Sequence, residues 1–302
     1  MFAEIITTVT NGTNATLVRE PGVVVADTGN HLIRFINAAT REVRTLAGHA
    51  QIPGGATNSS GTGAYFRFPI GLCIDTNNVV YIADSKNNVI RQLGLTDNPS
   101  YTIVNLVVTN TTFREPNAVS AMNENNLWVA DTRNHTVKLV TRTSPGTATL
   151  TTLMGSDSQL VSGTTDHAFG GLARFNNPRG ILWLNNRLYV ADTGNHTIRR
   201  ATNNPIYGAT NYAVGTVAGI PLQAGFANGD ALAAKFSGPH GLCSEEGQNV
   251  LVADTANNSF RRLRFGPSPP PVATPEVGWI DFVFDLNLGW ISVLRTSPGT
   301  TT

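Results

Sequence analysis

The sequence of 302 residues is short of charge and of long apolar runs, and each shortage excludes a class of protein. Charged residues make up 14% of the chain and the formal net charge is +1, a balance that disfavours a nucleic-acid partner held by bulk electrostatics. No apolar run approaches the roughly 20 residues that a membrane helix needs. The first residues contain no basic segment followed by an apolar stretch, so we expect neither a secretory signal nor a membrane span.

Cysteine is also scarce, because the chain has only Cys73 and Cys243, which cannot form a disulfide framework. Both follow a Gly-Leu pair and therefore share one local context. This predicts two buried thiols that act as small hydrophobic side chains, with a metal pair or a disulfide as the alternative. The hydrophobic fraction of 41% suffices for a packed core and excludes a disordered chain.

What the sequence contains in plenty is a repeat. A short apolar segment that ends in Ala-Asp occurs five times, and its aspartates are separated by 57, 47, 61 and 62 residues. These aspartates are Asp27, Asp84, Asp131, Asp192 and Asp254. An asparagine stands three residues after each of them, at Asn30, Asn87, Asn134, Asn195 and Asn257. The next strand of each unit carries a basic residue, at Arg34, Arg91, Lys138, Arg199 and Arg261.

The segments between these markers predict β-strands. Short runs rich in Val, Ile, Leu and Thr alternate with Gly, Pro and Asn, and Asn185-Asn186 suits a tight hairpin turn. Each unit accommodates four strands, and no stretch keeps a helical period for three turns. A four-stranded sheet cannot bury both of its faces alone, but sheets packed around an axis bury them against each other. The predicted fold class is therefore all-β, a β-propeller of four-stranded blades.

The repeat resembles the NHL repeat, which is named for Asn-His-Leu, and Asn30-His31-Leu32 is that tripeptide. The resemblance extends over about residues 4–265, in five units. It implies that the proline of each unit leads into the innermost strand, near one mouth of a central channel. It implies little about activity, because function depends on a site and not on the fold.

The five units predict five blades. The last unit has three evident strands, and we expect the N-terminal strand at residues 5–10 to complete it and close the ring. Six blades, with a degenerate C-terminal one, are the alternative, because residues 295–300 repeat residues 142–147. The predicted domains are the NHL-repeat β-propeller at 1–265, a Pro-rich linker at 266–276 and a C-terminal aromatic hairpin or tail at 277–302.

Residues that are the same in every unit are expected to serve the fold, and residues that differ are free to serve function. The repeated aspartates are accordingly predicted to accept hydrogen bonds from turn N–H groups. The arginine pairs Arg199-Arg200 and Arg261-Arg262 are expected on a solvated outer strand. Three histidines invite a metal hypothesis, but their equivalent positions on separate blades favour a structural role. They are His31, His135 and His196.

One position differs in every unit where it occurs, namely the residue that follows the proline. These post-proline residues are Ile70, Asn117, Arg179 and His240. One residue per blade that converges on an axis predicts a ligand-binding site at the channel mouth. Three residues just before the prolines widen the predicted site: Arg67, Arg114 and Asn177. No motif indicates a catalytic set, a metal or a cofactor.

The sequence therefore favours a non-catalytic interaction scaffold, a monomeric propeller that binds a protein or another ligand at its loop face and channel mouth. An enzyme is less favoured. It is kept as one alternative, a metal-dependent lyase or hydrolase at the central channel, because the resemblance includes such relatives. Single-stranded RNA binding, which the resemblance also includes, is the other alternative. The sequence indicates neither a compartment nor the identity of the partner.

Overall fold

The computed structural model describes residues 2–11, 14–56, 59–95, 102–105, 107–109, 112–144, 146–156, 161–207, 211–245, 247–265, 282–285 and 289–292. The chain separates into two compact units, Met1–Arg264 and Phe265–Thr302. In the second unit, β22 (Phe282–Asp285) pairs with β23 (Gly289–Ser292) in an antiparallel hairpin. The predicted three-part division of the chain stays a prediction, because most of the linker and of the tail lies outside the described residues.

The first unit consists of sheets that follow one another along the chain, and we name them blades 1 to 5. Blade 1 contains β1 (Phe2–Asn11), β2 (Asn14–Asp27), β3 (Leu32–Asn37) and β4 (Val43–Gly48). Blade 2 contains β5 (Ser59–Ser60), β6 (Pro69–Ile74), β7 (Val79–Asp84), β8 (Val89–Gly94) and β9 (Thr102–Asn105). Its strands lie in the order β5-β9-β8-β7-β6.

The later blades follow the same plan. Blade 3 contains β10 (Val107–Thr109), β11 (Pro116–Ala121), β12 (Asn126–Asp131), β13 (Thr136–Ser144) and β14 (Thr147–Met154). Blade 4 contains β15 (Gly180–Leu184), β16 (Arg187–Asp192), β17 (Thr197–Asn203) and β18 (Tyr212–Ala218). Blade 5 contains β19 (Pro239–Glu245), β20 (Asn249–Asp254) and β21 (Ser259–Leu263). Neighbouring strands pair antiparallel, except that β10 pairs parallel with β14.

The helices of the described residues are single 3₁₀ turns. Five of them follow the repeated aspartates, at Thr28–Asn30, Ser85–Asn87, Thr132–Asn134, Thr193–Asn195 and Thr255–Asn257. The others are Gly61–Gly63, Gly170–Leu172 and Pro205–Tyr207. In the part of the chain that the structure describes, no helix has the length and apolar character needed to cross a membrane. The predicted hairpin turn is confirmed, because Asn185 and Asn186 both have positive φ, at 50° and 58°.

The cores lie between the blades, and the strand alternation places them there. In β12, Leu127 and Val129 pack in the core between blades 2 and 3, whereas Trp128 packs in the core between blades 3 and 4. Successive side chains of a strand point to opposite faces, so each central strand supplies two cores at once. Burying each such side chain contributes about 1.5–3 kcal/mol. This packing makes the fold a β-propeller, as the sequence predicted.

A repeated latch joins the 3₁₀ turn of one blade to the next blade. The residue after the turn is left-handed and, where it is histidine, its Nδ1 accepts a hydrogen bond from an N–H of the next blade. The backbone N–H of Phe68 donates to His31 at 3.3 Å. In the same way Asn177 donates to His135 and Gly238 to His196, both at 3.0 Å. Beside this bond, the Thr132 hydroxyl donates to the Pro178 carbonyl oxygen at 2.7 Å. The structural role predicted for the three histidines is thus confirmed.

The predicted ring closure needs a correction. The N-terminal strand β1 pairs with β2, from Phe2 opposite Val23 to Asn11 opposite Asn14. It is therefore the first strand of blade 1 and not the fourth strand of blade 5. The physical reason is that β1 and β2 are consecutive, so a short hairpin pairs them at the smallest loop-closure cost. The number of blades and the closure of the ring both stay predictions.

Candidate functional site

The repeated aspartate, asparagine and basic residue of each blade form one cluster. In blade 4, Asp192 Oδ2 accepts hydrogen bonds from Asn195 Nδ2 at 2.8 Å and from Arg199 Nη1 at 2.9 Å. Its Oδ1 accepts from the backbone N–H of Asn176 at 2.7 Å. The predicted donor was a turn N–H, but the N–H comes from the segment before the proline. Because equivalent contacts recur in blades 2, 3 and 5, we assign these carboxylates to the fold.

In blades 2 to 5 the basic residue of the cluster is buried, which corrects the expectation of a solvated strand for Arg199 and Arg261. Arg199 and Arg261 are 1% and 8% exposed. Each guanidinium lies over a phenylalanine ring, Phe175 at 5.1 Å and Phe236 at 4.9 Å from the ring centroid. The carboxylate, the carbonyl oxygens and the aromatic ring around such an arginine compensate for the loss of hydration of its charge. The sequence could not show this, since an arginine beside another arginine resembles a surface strand.

The two cysteines do not share one environment. Cys73 is buried in the core between blades 2 and 3, and burial raises the pKa of its thiol. Cys243 is exposed, which corrects the prediction of two buried thiols. Blade 5 is the last described sheet of its unit, so among the described residues Cys243 lacks the following blade that covers Cys73. In the same described part of the chain, no group of three His, Cys, Asp or Glu side chains could hold a metal ion.

The post-proline residues of neighbouring blades lie side by side, because a glycine or alanine follows each of them. A Cβ on Gly71 would lie 2.6 Å from the carbonyl oxygen of Asn117, and a Cβ on Gly180 would overlap the carbonyl oxygen of His240. Glycine at these two positions lets the innermost strands approach closely enough to bring the post-proline residues of successive blades together.

The side chains of Arg179 and His240 are in direct contact. Arg179 Nη1 lies 3.3 Å from His240 Nε2, so the neutral imidazole accepts a hydrogen bond from the guanidinium. Burial, with the Arg179 charge as the second cause, lowers the pKa of His240 to about 4. The histidine is therefore neutral at pH 7 and its neighbour carries the charge.

The other two post-proline residues, Asn117 and Ile70, have different surroundings. Asn117 is 6% exposed, and its side-chain oxygen has no hydrogen-bond partner among the described residues. Such an oxygen costs about 1–3 kcal/mol unless a ligand or water satisfies it. Ile70 is half-buried and supplies an apolar contact. The four post-proline positions thus carry one cation, one neutral imidazole, one acceptor without a partner among the described residues and one apolar side chain.

The three residues predicted to widen the site lie against the repeated clusters. The backbone N–H groups of Arg67 and Arg114 donate to Asp84 and Asp131, both at 2.7 Å, while their side chains are exposed. Asn177 is left-handed, at φ 48°, and its N–H belongs to the latch with His135. The structure thus leaves the side chains of Arg67 and Arg114 exposed beside the repeated aspartates, whereas those of Arg179 and His240 contact each other.

Two further cations, Lys86 and Arg133, lie beside these arginines and were not predicted from the sequence. The N–H of Lys86 donates to the carbonyl oxygen of Arg67, and the N–H of Arg133 donates to that of Arg114, both at 3.0 Å. Both new residues stand two positions after a repeated aspartate, where the other blades have Gly29, Gly194 and Ala256. A comparison of this position between units would have found them.

Comparisons with known proteins agree with this architecture. The family model of the NHL repeat matches residues 66–93 and 113–138, in blades 2 and 3. Protein SUPPRESSOR OF QUENCHING 1, chloroplastic, of Arabidopsis thaliana is 27% identical over 258 residues, which are 79% of this chain and 23% of that protein. NHL repeat-containing protein 2 of Homo sapiens is 39% identical over 72 residues, 24% of this chain and 10% of that protein. The chain thus spans less than a quarter of the length of these relatives.

Among solved structures, an auxiliary nutrient binding protein from Bacteroides ovatus has the same fold. Its TM-score is 0.60 at 16% identity, over 81% of this chain and 56% of that chain. At this identity the likeness concerns the fold alone.

Proposed function

We propose that this chain, a β-propeller with NHL repeats in blades 2 and 3, is a non-catalytic scaffold that binds a peptide segment of a partner protein. The proposed binding site is the post-proline mouth, by which we mean the surface at Ile70, Asn117, Arg179 and His240. A peptide backbone offers alternating N–H donors and carbonyl acceptors. The mouth offers the complementary groups, since the side-chain oxygen of Asn117 accepts and the guanidinium of Arg179 donates.

The observation that carries the proposal is the incomplete hydrogen bonding of these two buried or half-buried groups. Among the described residues, His240 is the side chain that Arg179 contacts, and Asn117 Oδ1 has no partner. A site whose polar groups are satisfied only by a ligand gains affinity from each bond that the ligand supplies. Ile70 adds an apolar wall that a peptide side chain can cover.

A non-catalytic role is supported by the state of the candidate acids and bases. The repeated carboxylates are held by their own asparagine and basic residue, so they are not available to move protons. The low pKa of His240 leaves it unprotonated at pH 7, and its Nε2 is already engaged with Arg179. Proton transfer at neutral pH needs a group with a pKa near 7.

The test is a random heptapeptide display library panned against the immobilised full chain. Peptides enriched on the wild-type protein should bind about tenfold more weakly to Arg179→Ala and to His240→Ala, measured by calorimetry, because each change removes one polar contact. Arg187→Ala is the matched control, since Arg187 is exposed at the far end of the same β15–β16 hairpin. Its affinity should equal that of the wild type.

Two results would contradict the proposal. Either no peptide is enriched, or the enriched peptides bind all three variants as tightly as the wild-type chain. Circular dichroism melts of the variants show whether a lost affinity reflects the mouth or a loss of folded protein.

A further inference from the structure

The exposed cations of blades 2 and 3 form a continuous surface, which we call the cationic strip. Its members are Arg67, Lys86, Arg114 and Arg133. A hydrogen bond of 3.0 Å joins the backbones of each pair, Lys86 to Arg67 within blade 2 and Arg133 to Arg114 within blade 3. Glu115 then joins the two blades, because its carboxylate contacts Lys86 Nζ at 2.8 Å and Arg133 Nε at 3.4 Å.

The later blades show that the fold does not require these cations. The same backbone hydrogen bond occurs in blade 4, from Gly194 to Asn176 at 2.8 Å, and in blade 5, from Ala256 to Ser237 at 3.0 Å. Neutral residues therefore occupy both positions without altering the local structure. Four cations on one surface repel each other, so the strip costs stability where blades 4 and 5 avoid that cost.

Charge on the strip is far from balanced. All four cationic side chains are exposed, and among the described residues Glu115 is the carboxylate that contacts them. The pKa of His135 is lowered by burial and by the guanidinium groups of Arg133 and Arg114, which places both charges close to one point. The strip thus has a local charge of +3 on a protein whose formal net charge is +1.

We propose that the cationic strip docks an acidic segment of a partner protein, whose carboxylates pair with Arg67 and Arg114. This inference concerns a second surface and stands or falls apart from the mouth. Glu115 supports carboxylate as the preferred anion, because its two oxygens are each contacted by a cation of a different blade. A partner carboxylate at Arg67 or Arg114 would accept hydrogen bonds from a guanidinium group, as Glu115 does from Arg133.

An apolar side chain lies within the same surface and favours a protein partner. Phe68 directly follows Arg67, is 42% exposed and has a φ of 53°. A bulky residue in the left-handed region is strained, and the equivalent position in blade 5 is Gly238. An exposed aromatic ring held there at a cost gives an acidic segment one hydrophobic contact between its charges.

The experiment uses the full chain and fluorescence anisotropy with labelled hexaglutamate, at about 25 mM NaCl, where exposed charges are little screened. Arg67→Ser with Arg114→Ser installs the serine that blade 5 has at Ser237, and it should weaken binding about tenfold. The control is Arg187→Ser with Arg264→Ser, which removes the same charge from two other exposed positions. It should weaken binding less than about twofold.

A variant that is expected to bind hexaglutamate more tightly provides a second test. Glu115→Gln removes the internal carboxylate and frees Lys86 and Arg133, so hexaglutamate should bind about threefold more tightly. A merely structural role of Glu115 would not increase affinity. The Arg179→Ala variant is measured alongside, because hexaglutamate bound at the strip is insensitive to this change, whereas hexaglutamate bound at the mouth loses affinity with it.

Three outcomes would overturn the inference. Hexaglutamate does not bind, or both double variants lose the same affinity, in which case only net charge matters. The third outcome is that hexauridylate, added as a labelled probe of similar charge, binds the strip more tightly than hexaglutamate and follows the same variants. That result would identify single-stranded RNA as the partner.

Discussion

Two arginines of blade 4, Arg199 and Arg179, differ in their burial and in the groups that contact them. The guanidinium of Arg199 is buried, donates to Asp192 at 2.9 Å and to the carbonyl oxygens of Arg174 and Thr165, both at 2.9 Å, and also contacts Asp166. Arg179 is half-buried, and its side chain contacts the neutral His240 at 3.3 Å. The first cation is fully neutralised by the fold, whereas the second is left for a ligand.

The difference separates two uses of the same side chain. A buried charge is tolerated where carboxylates and carbonyl oxygens surround it, and such a site is repeated in blade after blade. A charge beside a neutral imidazole gains little from the protein itself. It is found once, at a position where the other blades have Ile70, Asn117 and His240. Repetition thus marks the residues that hold the propeller together, and variation marks those free to bind.

The largest expected effect comes from removing the neutralised arginine. Arg199→Ala should lower the free energy of unfolding by about 3–5 kcal/mol, because it leaves Asp192 buried without its cation. In blade 1 the equivalent pair is Arg34 and Asp27, whose Nη1 and Oδ2 atoms are 3.4 Å apart and whose side chains are 30% and 20% exposed. Arg34→Ala should therefore lower the free energy of unfolding by about 1 kcal/mol or less. Urea denaturation measures both, and equal losses would contradict the role of burial.

The Arg199 variant also has a signed pH dependence. Burial raises the pKa of Asp192 to about 6, and the charge of Arg199 is the largest influence that opposes this rise. Removing Arg199 therefore raises the folded-state pKa of Asp192 still further above its value in the unfolded chain. A raised folded-state pKa means that stability falls as pH rises, so the loss should be larger at pH 8 than at pH 5.

The sequence was sufficient for the fold because the apolar alternation and the spacing of the five aspartates are local patterns. It was not sufficient for the environment of Arg199 and Arg261, since burial depends on which loop of the next unit covers a side chain. The same limit applied to the N-terminal strand, whose pairing with β2 reflects a choice between two partners of similar pattern. Lys86 and Arg133 were not predicted because a charged residue in an exposed turn is common, and only their neighbours in space, Arg67 and Arg114, set them apart.

The post-proline site was predicted only as a set of positions. That Arg179 and His240 touch follows from the close approach of β15 and β19 at Gly180. That Arg67 lies beside Lys86 and Arg114 beside Arg133 follows from the hydrogen bonds between their backbones. Neither fact is contained in residue spacing, which gives the order of residues but not the direction of side chains.

A smaller effect is expected from the imidazole beside Arg179. Because the folded state lowers the pKa of His240 from 6.5 to about 4, the unfolded chain binds a proton in this window that the folded chain does not. Stability should therefore be lost as pH falls from 6.5 towards 4, by about 2–3 kcal/mol in all. His240→Gln should remove this contribution, and the wild-type-minus-variant difference isolates it from other titrating groups.

Arg179→Ala sharpens the same measurement. Burial is the larger cause of the low pKa and the arginine charge is the smaller, so most of the pH dependence should persist in this variant. If the pH dependence disappears with Arg179, charge repulsion dominates and the imidazole is less buried than the structure indicates.

The smallest expected effect has the opposite sign. Arg179→Leu removes a half-buried cation that contacts no carboxylate among the described residues, and it keeps an apolar stem at the same position. The free energy of unfolding should therefore rise by about 0.5–1 kcal/mol, as is usual when a functional residue is exchanged for a stabilising one. Arg187→Leu, at the exposed end of the same hairpin, should leave stability unchanged within about 0.5 kcal/mol. A loss of stability in Arg179→Leu as large as that in Arg199→Ala would mean that both arginines serve the fold, because only a cation that the protein itself neutralises is costly to remove.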